Sequence, residues 1–107
     1  MKKYDVIIIG GGLGGLTSGA ILSKEGLSVC LLEQHSVIGG CLQSFKRNGR
    51  ILDTGMHYVG SLSEGEIMHQ YFKYFGIYDK LKLQKLDENG FDRFHFMDGT
   101  TYSHAMG

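Results

Sequence analysis

The fold of this chain is decided near its start, by residues 4–15, which read Tyr4-Asp5-Val6-Ile7-Ile8-Ile9-Gly10-Gly11-Gly12-Leu13-Gly14-Gly15. The first half of this stretch is an apolar run rich in β-branched side chains, and it stops abruptly at Gly10. Such an uninterrupted run is typical of a parallel strand that is covered on both faces. We therefore predict a buried strand over residues 4–9, followed at once by a glycine-rich turn.

A helix and a second strand should follow the turn. From Leu13 the apolar residues recur at steps of three and four positions, which predicts a helix that ends at Glu25, with Gly26 as the left-handed residue beyond it. Residues 28–32 form a second apolar run that ends at Glu33. A strand, turn, helix and strand within about 30 residues make one βαβ unit. We therefore predict an α/β fold: a Rossmann-like FAD/NAD(P)-binding βαβ unit, then an irregular α+β segment.

The turn has the spacing G-x-G-x-x-G at Gly10, Gly12 and Gly15. In a dinucleotide-binding unit the first glycine permits the tight turn, the second lets a diphosphate approach the backbone, and the third lets the helix lie against the strand. The helix N-terminus adds free N–H groups and about half a unit of positive charge. We predict a diphosphate site that also includes Leu13 and Gly14; the alternative is a turn with a structural role only.

An acidic residue, Glu33, ends the second predicted strand. It follows the glycine motif by about 20 positions, which is where a carboxylate binds the ribose hydroxyls of a dinucleotide. A carboxylate at this place repels the 2′-phosphate of NADP, so we predict FAD or NAD, and the βαβ unit does not choose between them. A solvated carboxylate at the strand end is the alternative.

The rest of the chain is less regular, and it suggests two regions. Residues 1–60 hold the βαβ unit with later glycine elements, and residues 61–107 hold a helix and a hairpin that begin a substrate domain. An aromatic stripe on that helix is interpreted as core, with an apolar substrate wall as the alternative. The predicted elements are a turn at Asn48-Gly49, a strand over residues 50–53, a helix over residues 64–75 begun by a capping box of Ser63 and Glu66 and carrying Tyr71, Phe72 and Phe75, a strand over residues 81–86, and a hairpin around Asp98-Gly99.

Three further segments carry a resemblance to a known family: Glu33-Gln34-His35, then Val37-Ile38-Gly39-Gly40-Cys41-Leu42-Gln43-Ser44, then Asp53-Thr54-Gly55-Met56-His57-Tyr58-Val59-Gly60. They resemble the N-terminus of the phytoene desaturase and all-trans-retinol 13,14-reductase (retinol saturase) group of FAD-dependent oxidoreductases. The wider flavin amine oxidase class shares the second Gly-Gly pair and the Asp-x-Gly element, but it usually has Arg where this chain has Cys41. The resemblance therefore favours the carotenoid and retinoid branch, and it is dense over residues 4 to about 60.

This resemblance implies FAD as the cofactor and adds residues to the site. It implies that Gln34 joins Glu33 in the nucleotide site and that the backbone of Gly39 and Gly40, with Cys41 beside it, passes close to the FAD diphosphate. A glycine pair leaves room for this because it has no Cβ atoms, although a simple turn is the alternative. The resemblance also implies that the backbone of Gly55, Met56 and His57 approaches the isoalloxazine ring.

No catalytic residue is assigned from the sequence. His57 is a candidate hydrogen-bond donor or proton source, with a structural ring as the alternative. Cys41 is interpreted as a small buried residue, with a redox thiol as the alternative, and Cys30 as an inert thiol in a buried strand. The remaining histidines, His35, His69, His95 and His104, share no metal-ligand spacing, so no metal is predicted.

Composition excludes several classes of partner. Lys plus Arg equals Asp plus Glu at 11 each, and no basic stripe is present, so we predict no nucleic-acid partner. The apolar run at residues 6–9 is far below the ~20 residues of a membrane span, which leaves at most peripheral membrane contact of a full-length parent protein. The two cysteines do not form a disulfide framework, which indicates a cytoplasmic setting. Oligomeric state is not readable.

The leading hypothesis is an FAD-dependent oxidoreductase that transfers a hydride between the flavin and a C–C bond of an apolar polyene such as a carotenoid or retinoid. An NAD-dependent dehydrogenase and a non-catalytic nucleotide-binding fragment are the alternatives. The ending at residues 103–107 has no structural stop signal, so we expect an incomplete domain, the N-terminal fragment of a longer enzyme. We expect this piece alone to bind FAD poorly and to catalyse little.

Overall fold

A computed structural model describes residues 3–105 of the chain. Its first part is the predicted βαβ unit, and its second part contains two hairpins and a second helix. Radius of gyration is 18.5 Å, against about 13 Å for a compact domain of this length. The elements in chain order are β1 (Val6–Ile9), α1 (Leu13–Lys24), β2 (Val29–Leu32), a 3-10 turn (Gly40–Leu42), β3 (Ser44–Arg47), β4 (Arg50–Asp53), α2 (Ile67–Phe75), a second 3-10 turn (Tyr78–Lys80), β5 (Asp92–His95) and β6 (Thr101–His104).

The βαβ unit confirms the predicted Rossmann-like α/β fold. Strands β1 and β2 pair in parallel, with Val6 opposite Val29 and Ile9 opposite Leu32. Helix α1 connects them and ends where the sequence predicted, since Gly26 has a φ of 88° in the left-handed region. Because the two strands are parallel and in register, both end at the same edge of the sheet, next to the glycine-rich turn.

Only one face of this two-stranded sheet is covered. Ile8 faces α1 and is half-buried, whereas Ile7 is 62% exposed and Ile9 is 87% exposed. The prediction that this strand is covered on both faces is therefore wrong for the described residues, because α1 is the one helix packed on the sheet. Cys30 in β2 is accordingly half-buried rather than buried. Residues 3–105 contain no fully buried apolar side chain.

Strands β3 and β4 form an antiparallel hairpin closed by a two-residue turn. Asn48 has a φ of 49° and Gly49 a φ of 76°, the left-handed pair that an Asn-Gly hairpin turn requires. The predicted strand over residues 50–53 is confirmed. Its partner β3 was not predicted, although the Asn-Gly signal implies a strand on each side of the turn.

Helix α2 begins later than predicted. The Glu66 carboxylate accepts the Ser63 N–H at 2.7 Å, as in a capping box. However, Gly65 has a φ of 84°, which is not helical, so the helix begins at Ile67 instead of residue 64. The aromatic stripe is not a closed core, because Tyr71 is 51% exposed. It contributes to an open groove of about 530 Å³ between α1 and α2, lined by Thr17, Ile21, Gln70, Tyr71, Tyr74 and Phe75.

The last segment contains one wrong prediction and one confirmed one. Residues 81–86 are not a strand, because their backbone pairs with no other strand of the described chain. Strands β5 and β6 form the predicted hairpin, and residues 96–100 connect them, with Gly99 at a φ of 85°. The ring of Tyr58 meets Phe91 edge-on at 5.3 Å, which links the Asp-x-Gly segment to the start of this hairpin. The division of the chain into regions 1–60 and 61–107 stays a prediction. The outer ends of these two regions, residues 1–2 and 106–107, lie outside the described residues.

Neither helix in the described part of the chain is long and apolar enough to cross a bilayer.

Candidate dinucleotide-binding site

The turn between β1 and α1 depends on two of its glycines. Gly10 has a φ of 105°, a conformation that other residues rarely adopt, and its N–H donates to the Leu32 carbonyl at 2.8 Å. A Cβ on Gly15 would overlap the carbonyl oxygen of Gly10 and would come within 3.3 Å of Ile8. Glycine at position 15 therefore allows α1 to pack directly on the end of β1, and this packing aims the helix N-terminus at the sheet edge.

The N-terminus of α1 is open and has no side-chain cap. Gly12 is the N-cap residue, and the first helical hydrogen bond runs from Leu16 N–H to the Gly12 carbonyl at 3.0 Å. The N–H groups of the first turn therefore have no intrahelical acceptor. Nothing lies within 4 Å of a Cβ built on Gly12 or Gly14, and the first turn contains no acidic residue. An anion can therefore approach this backbone without meeting a side chain of Gly12 or Gly14 or an acidic residue of the first turn.

The carboxylate of Glu33 is held at the adjoining edge by two backbone groups. One oxygen accepts the Gly11 N–H at 2.6 Å, and the other accepts the His35 N–H at 2.9 Å. These hydrogen bonds, from His35 first and Gly11 second, lower the pKa of Glu33 below its ordinary value of 4.5. Each carboxylate oxygen has a further lone pair that can accept a hydroxyl hydrogen. The group is therefore charged and oriented before any ligand arrives.

A crevice of about 390 Å³ opens beside this carboxylate. It lies at the carboxyl ends of β1 and β2, which is where open α/β sheets bind their ligands. Gln34 and His35 belong to its wall, and the role of Gln34 in a nucleotide site stays a prediction. The lining residues are Ile9, Gly10, Leu32, Glu33, Gln34 and His35.

The second glycine pair lies directly against the first glycine turn. The Gly39 N–H donates to the Gly11 carbonyl at 2.7 Å, and Gly39 forms an isolated parallel bridge with Gly12. A Cβ on Gly40 would stand 3.1 Å from the Gly12 Cα. Both Gly39 and Gly40 have positive φ, at 117° and 57°. Gly39 and Gly40 therefore form a turn. This turn contacts the first glycine turn and adds to the backbone surface that carries no side chains.

The Asp-x-Gly element joins the same cluster from the other side. The Thr54 N–H donates to the Gln43 carbonyl at 3.1 Å, and a Cβ on Gly55 would stand 2.8 Å from the Cys41 carbonyl oxygen. Position 55 therefore needs glycine in order to approach the Gly-Gly segment this closely. Cys41 itself is exposed, so its interpretation as a buried residue is wrong: its carbonyl contacts Gly55 while its side chain faces solvent.

Not every predicted site residue has a contact in this cluster. Leu13 begins α1 and is 61% exposed, and Met56 is 44% exposed. His57 is exposed and has no hydrogen-bonding partner among residues 3–105. The described residues also hold no group of three His, Cys, Asp or Glu side chains that could bind a metal ion.

Sequence reasoning missed one role at this site. The sequence predicted that Glu33 binds a ribose. The structure shows that the same carboxylate also holds the glycine turn in place by accepting the Gly11 N–H. Gly11 is the only residue classed as buried among residues 3–105. The spacing of 22 positions between the two residues was visible as a motif distance. The hydrogen bond between Gly11 and Glu33 could not be predicted from that spacing, because it depends on how the glycine turn lies relative to the end of β2.

Comparison with known proteins agrees with this geometry. Residues 8–75 match the family described as NAD(P)-binding Rossmann-like domain. The all-trans-retinol 13,14-reductase of Homo sapiens is 52% identical over 66 residues, which are 62% of this chain and 11% of that protein. A carotenoid 3,4-desaturase of Haloarcula japonica is 33% identical over 101 residues, 92% of this chain and 19% of that protein. These matches confirm the resemblance to the carotenoid and retinoid group.

Flavin-containing amine oxidases are also similar, over more of the chain and at lower identity. Amine oxidase B of Rattus norvegicus is 31% identical over 104 residues, 95% of this chain and 18% of that protein. A putrescine oxidase variant has the same fold, with a TM-score of 0.65 and 24% identity over 96% of this chain and 22% of that structure. The chain spans about a tenth of the length of the retinol reductases that it matches.

Proposed function

Because this chain belongs to the NAD(P)-binding Rossmann-like domain family, we propose that it forms the FAD-binding part of a flavin-dependent oxidoreductase. One observation carries the proposal: three glycine elements that are far apart in the sequence share one surface, through Gly39 on Gly11 and Gly55 on Cys41. The Gly-rich turn and Glu33 would serve NAD equally well, but the two later elements extend the bare backbone beyond the first turn. Similarity to flavin-containing amine oxidase B supports FAD.

The residues of the cluster have separate tasks in this proposal. The backbone N–H groups at Gly12, Leu13, Gly14 and Gly15 would hold the diphosphate, with the Gly39-Gly40 backbone beside them. The Glu33 carboxylate accepts hydroxyl hydrogens of the adenosine ribose, and Gln34 completes that wall of the crevice.

The isoalloxazine ring would lie toward the Asp-x-Gly element. Gly55, Met56 and His57 position this ring, and the His57 imidazole, which has no partner in the described chain, is available to donate a hydrogen bond to it. The Cys41 backbone would help to hold the diphosphate. FAD, once bound, supplies a ring that can accept or release a hydride.

We further propose that the substrate is an apolar polyene such as a carotenoid or a retinoid. The support is the 52% identity to a retinol reductase and the similarity to a carotenoid desaturase. Desaturation removes a hydride and a proton from adjacent carbons, and saturation adds them, so the same site serves either direction. A cytoplasmic location, which would keep the free thiols of Cys30 and Cys41 reduced, completes the proposal.

Cofactor identity tests the first part of this proposal. Heat extraction of the full protein should release a fluorescent flavin; release of NAD without flavin would establish a nicotinamide-dependent dehydrogenase instead. The variant Gly12→Val should lose the flavin while it stays folded, because the space around that position is open and a side chain there would fill the diphosphate site. The matched control is Gly60→Val, which also points into open space and lies outside the proposed site.

Substrate class needs a separate experiment. The flavin absorbance band of the full protein should be followed anaerobically, in both redox states, after addition of retinol or phytoene. Bleaching of the oxidised band or recovery of the reduced one indicates hydride exchange with a polyene. If neither polyene changes either band, the proposed substrate class is wrong, whatever the cofactor is.

A further inference from the structure

A row of five aromatic rings begins beside the segment that we assign to the isoalloxazine ring. Tyr58 directly follows His57 in the chain, and its ring meets that of Phe91 edge-on, with centroids 5.3 Å apart. Phe91 in turn meets the ring of His104 edge-on at 5.2 Å. The row therefore continues from the Asp-x-Gly segment onto the β5–β6 hairpin. We call the following five residues the aromatic row: Tyr58, Phe91, His104, Tyr102 and Phe94.

The strand register places the far half of the aromatic row on one face of the hairpin. Phe94 lies directly opposite Tyr102, and their ring centroids are 6.3 Å apart. His104 is two positions beyond Tyr102 in β6, so the two side chains point to the same side, and their rings lie 6.3 Å apart. Each ring thus contacts its neighbours in the row, and the row follows a single surface.

The opposite face of the hairpin is polar. Arg93 lies opposite Ser103 there. One position pair further along, His95 Nδ1 lies 2.9 Å from the hydroxyl oxygen of Thr101. The register also places Asp92 on the aromatic face, but its carboxylate accepts the Arg93 backbone N–H at 3.0 Å and the residue is half-buried. Antiparallel sheets with one polar face and one apolar face commonly have the apolar face covered.

Within the described residues the aromatic row is uncovered. Tyr58 is 57% exposed, Phe94 48% and Tyr102 56%. No ion pair in residues 3–105 involves a member of the row. Aromatic side chains offer large apolar contact areas, and small-molecule sites are lined predominantly by apolar and aromatic side chains. The row can therefore hold one side of a long apolar molecule.

We propose that the aromatic row forms one wall of the substrate site and that a polyene lies along it, with its reacting C–C bond beside the flavin. The inference rests on the proposed function and names residues that would hold its substrate. Two observations select a polyene as the occupant. The row is continuous with the segment that would position the isoalloxazine ring, and four of its five rings belong to Phe and Tyr, which are uncharged at neutral pH.

Retinol binding to the full protein tests the inference, with the dissociation constant measured by titration of retinol fluorescence. Because covering the exposed half of an aromatic side chain strengthens binding by a factor of about five, Tyr58→Ser and Tyr102→Ser should each weaken retinol binding about 5-fold, and the double variant about 25-fold. Tyr58→Phe and Tyr102→Phe keep the ring and should bind like the wild type. The matched control is Tyr71→Ser, which removes a ring on α2 that is 51% exposed and lies outside the row, and it should also bind like the wild type.

A labelling experiment needs no variant, so it holds even where a substitution disturbs folding. N-acetylimidazole acetylates accessible tyrosine hydroxyls, and mass spectrometry locates the acetylated residues in the full protein. Tyr58 and Tyr102 should be acetylated in the ligand-free protein and protected by retinol. Tyr71 should be acetylated equally with and without retinol.

Three results would overturn the inference. The first is equal retinol affinity in the wild type and the double serine variant. The second is failure of the reagent to reach Tyr58 and Tyr102 in the ligand-free full protein, because another part of that protein or a second copy of it would then cover the row. The third is protection by benzylamine but not by retinol, since aromatic rings also bind cations.

Failure of the inference and failure of the proposed function give different results. A protein that contains flavin and exchanges a hydride with retinol, but binds retinol equally well in the double serine variant, keeps the proposed function and loses the aromatic row as the substrate wall. A protein that contains no flavin, but whose Tyr58 and Tyr102 are protected by retinol, loses the proposed cofactor and keeps the aromatic row as a polyene site.

Discussion

Replacement of Gly15 by Ala should disturb the packing of α1 on the end of β1 while it leaves every other residue of the site unchanged. The new Cβ would overlap the carbonyl oxygen of Gly10, far inside the 3.0 Å below which real Cβ contacts essentially never occur. The Cβ is fixed rigidly to the α1 backbone and the oxygen belongs to the backbone of the turn, so the helix and the turn have to separate. The two atoms would lie 2.0 Å apart, whereas non-bonded atoms reach their best separation at about 3.5–4.0 Å, so the required displacement is about 1.5–2 Å.

Overpacking of this kind destabilises a protein by about 1–3 kcal/mol, and we expect a loss in that range for Gly15→Ala. The matched control is Gly19→Ala, one helical turn further along the same face of α1. A Cβ there would meet Ile8 at 3.4 Å and Val29 at 3.8 Å, which is ordinary contact. Replacing this helical glycine should stabilise the protein by up to about 1 kcal/mol.

Urea unfolding followed by circular dichroism measures both variants, and equilibrium dialysis against FAD measures the site in the full protein. Gly15→Ala should shift the unfolding midpoint downward and weaken FAD binding, while Gly19→Ala should do neither. The reasoning is refuted if Gly15→Ala is as stable as Gly19→Ala, or if it binds FAD equally well, because the glycine turn would then tolerate the displacement.

Two further predictions concern the rest of the cluster. The pKa of Glu33 is lowered in the folded protein, so the hydrogen bond from the Gly11 N–H to its carboxylate is fully present above the ordinary pKa of 4.5 and is lost as pH falls through the lower folded-state pKa. Amide hydrogen exchange at Gly11 should therefore accelerate below that pH. The variant Glu33→Gln should abolish this pH dependence. Gly55→Ala should weaken FAD binding about 5-fold or more, because its Cβ would stand 2.8 Å from the Cys41 carbonyl oxygen and overpacking of this kind costs about 1–3 kcal/mol. Gly60→Ala, in open space, should bind FAD like the wild type.

Local secondary structure could be predicted wherever a short stretch of sequence determines its own backbone conformation. The strand over residues 6–9, the helix from Leu13 and the Asn48-Gly49 turn all follow from periodicity and from glycine or asparagine at left-handed positions. Helix α2 shows the limit of this reasoning. Its capping hydrogen bond forms, yet Gly65 bends the backbone and delays the helix by three residues.

Burial was harder to predict than secondary structure. Apolar composition shows which side chains favour an interior, but it does not show which of them meet a neighbour. Ile9 lies in an apolar strand and is 87% exposed, and Cys41, interpreted as buried, is also exposed. The strand predicted over residues 81–86 failed for a related reason, since a strand requires a paired neighbour as well as a suitable sequence.

By itself, the sequence determined the βαβ unit and the order of its glycine elements, because the tight turn at Gly10 and the alternation of strand and helix are local properties of the backbone. Tertiary structure alone decided that these elements form one surface. The contacts of Gly39 with Gly11, of Gly55 with Cys41 and of Glu33 with Gly11 join residues that lie 14 to 28 positions apart along the chain. Such contacts depend on how the intervening loops fold back over the sheet edge, and no short stretch of sequence contains that information.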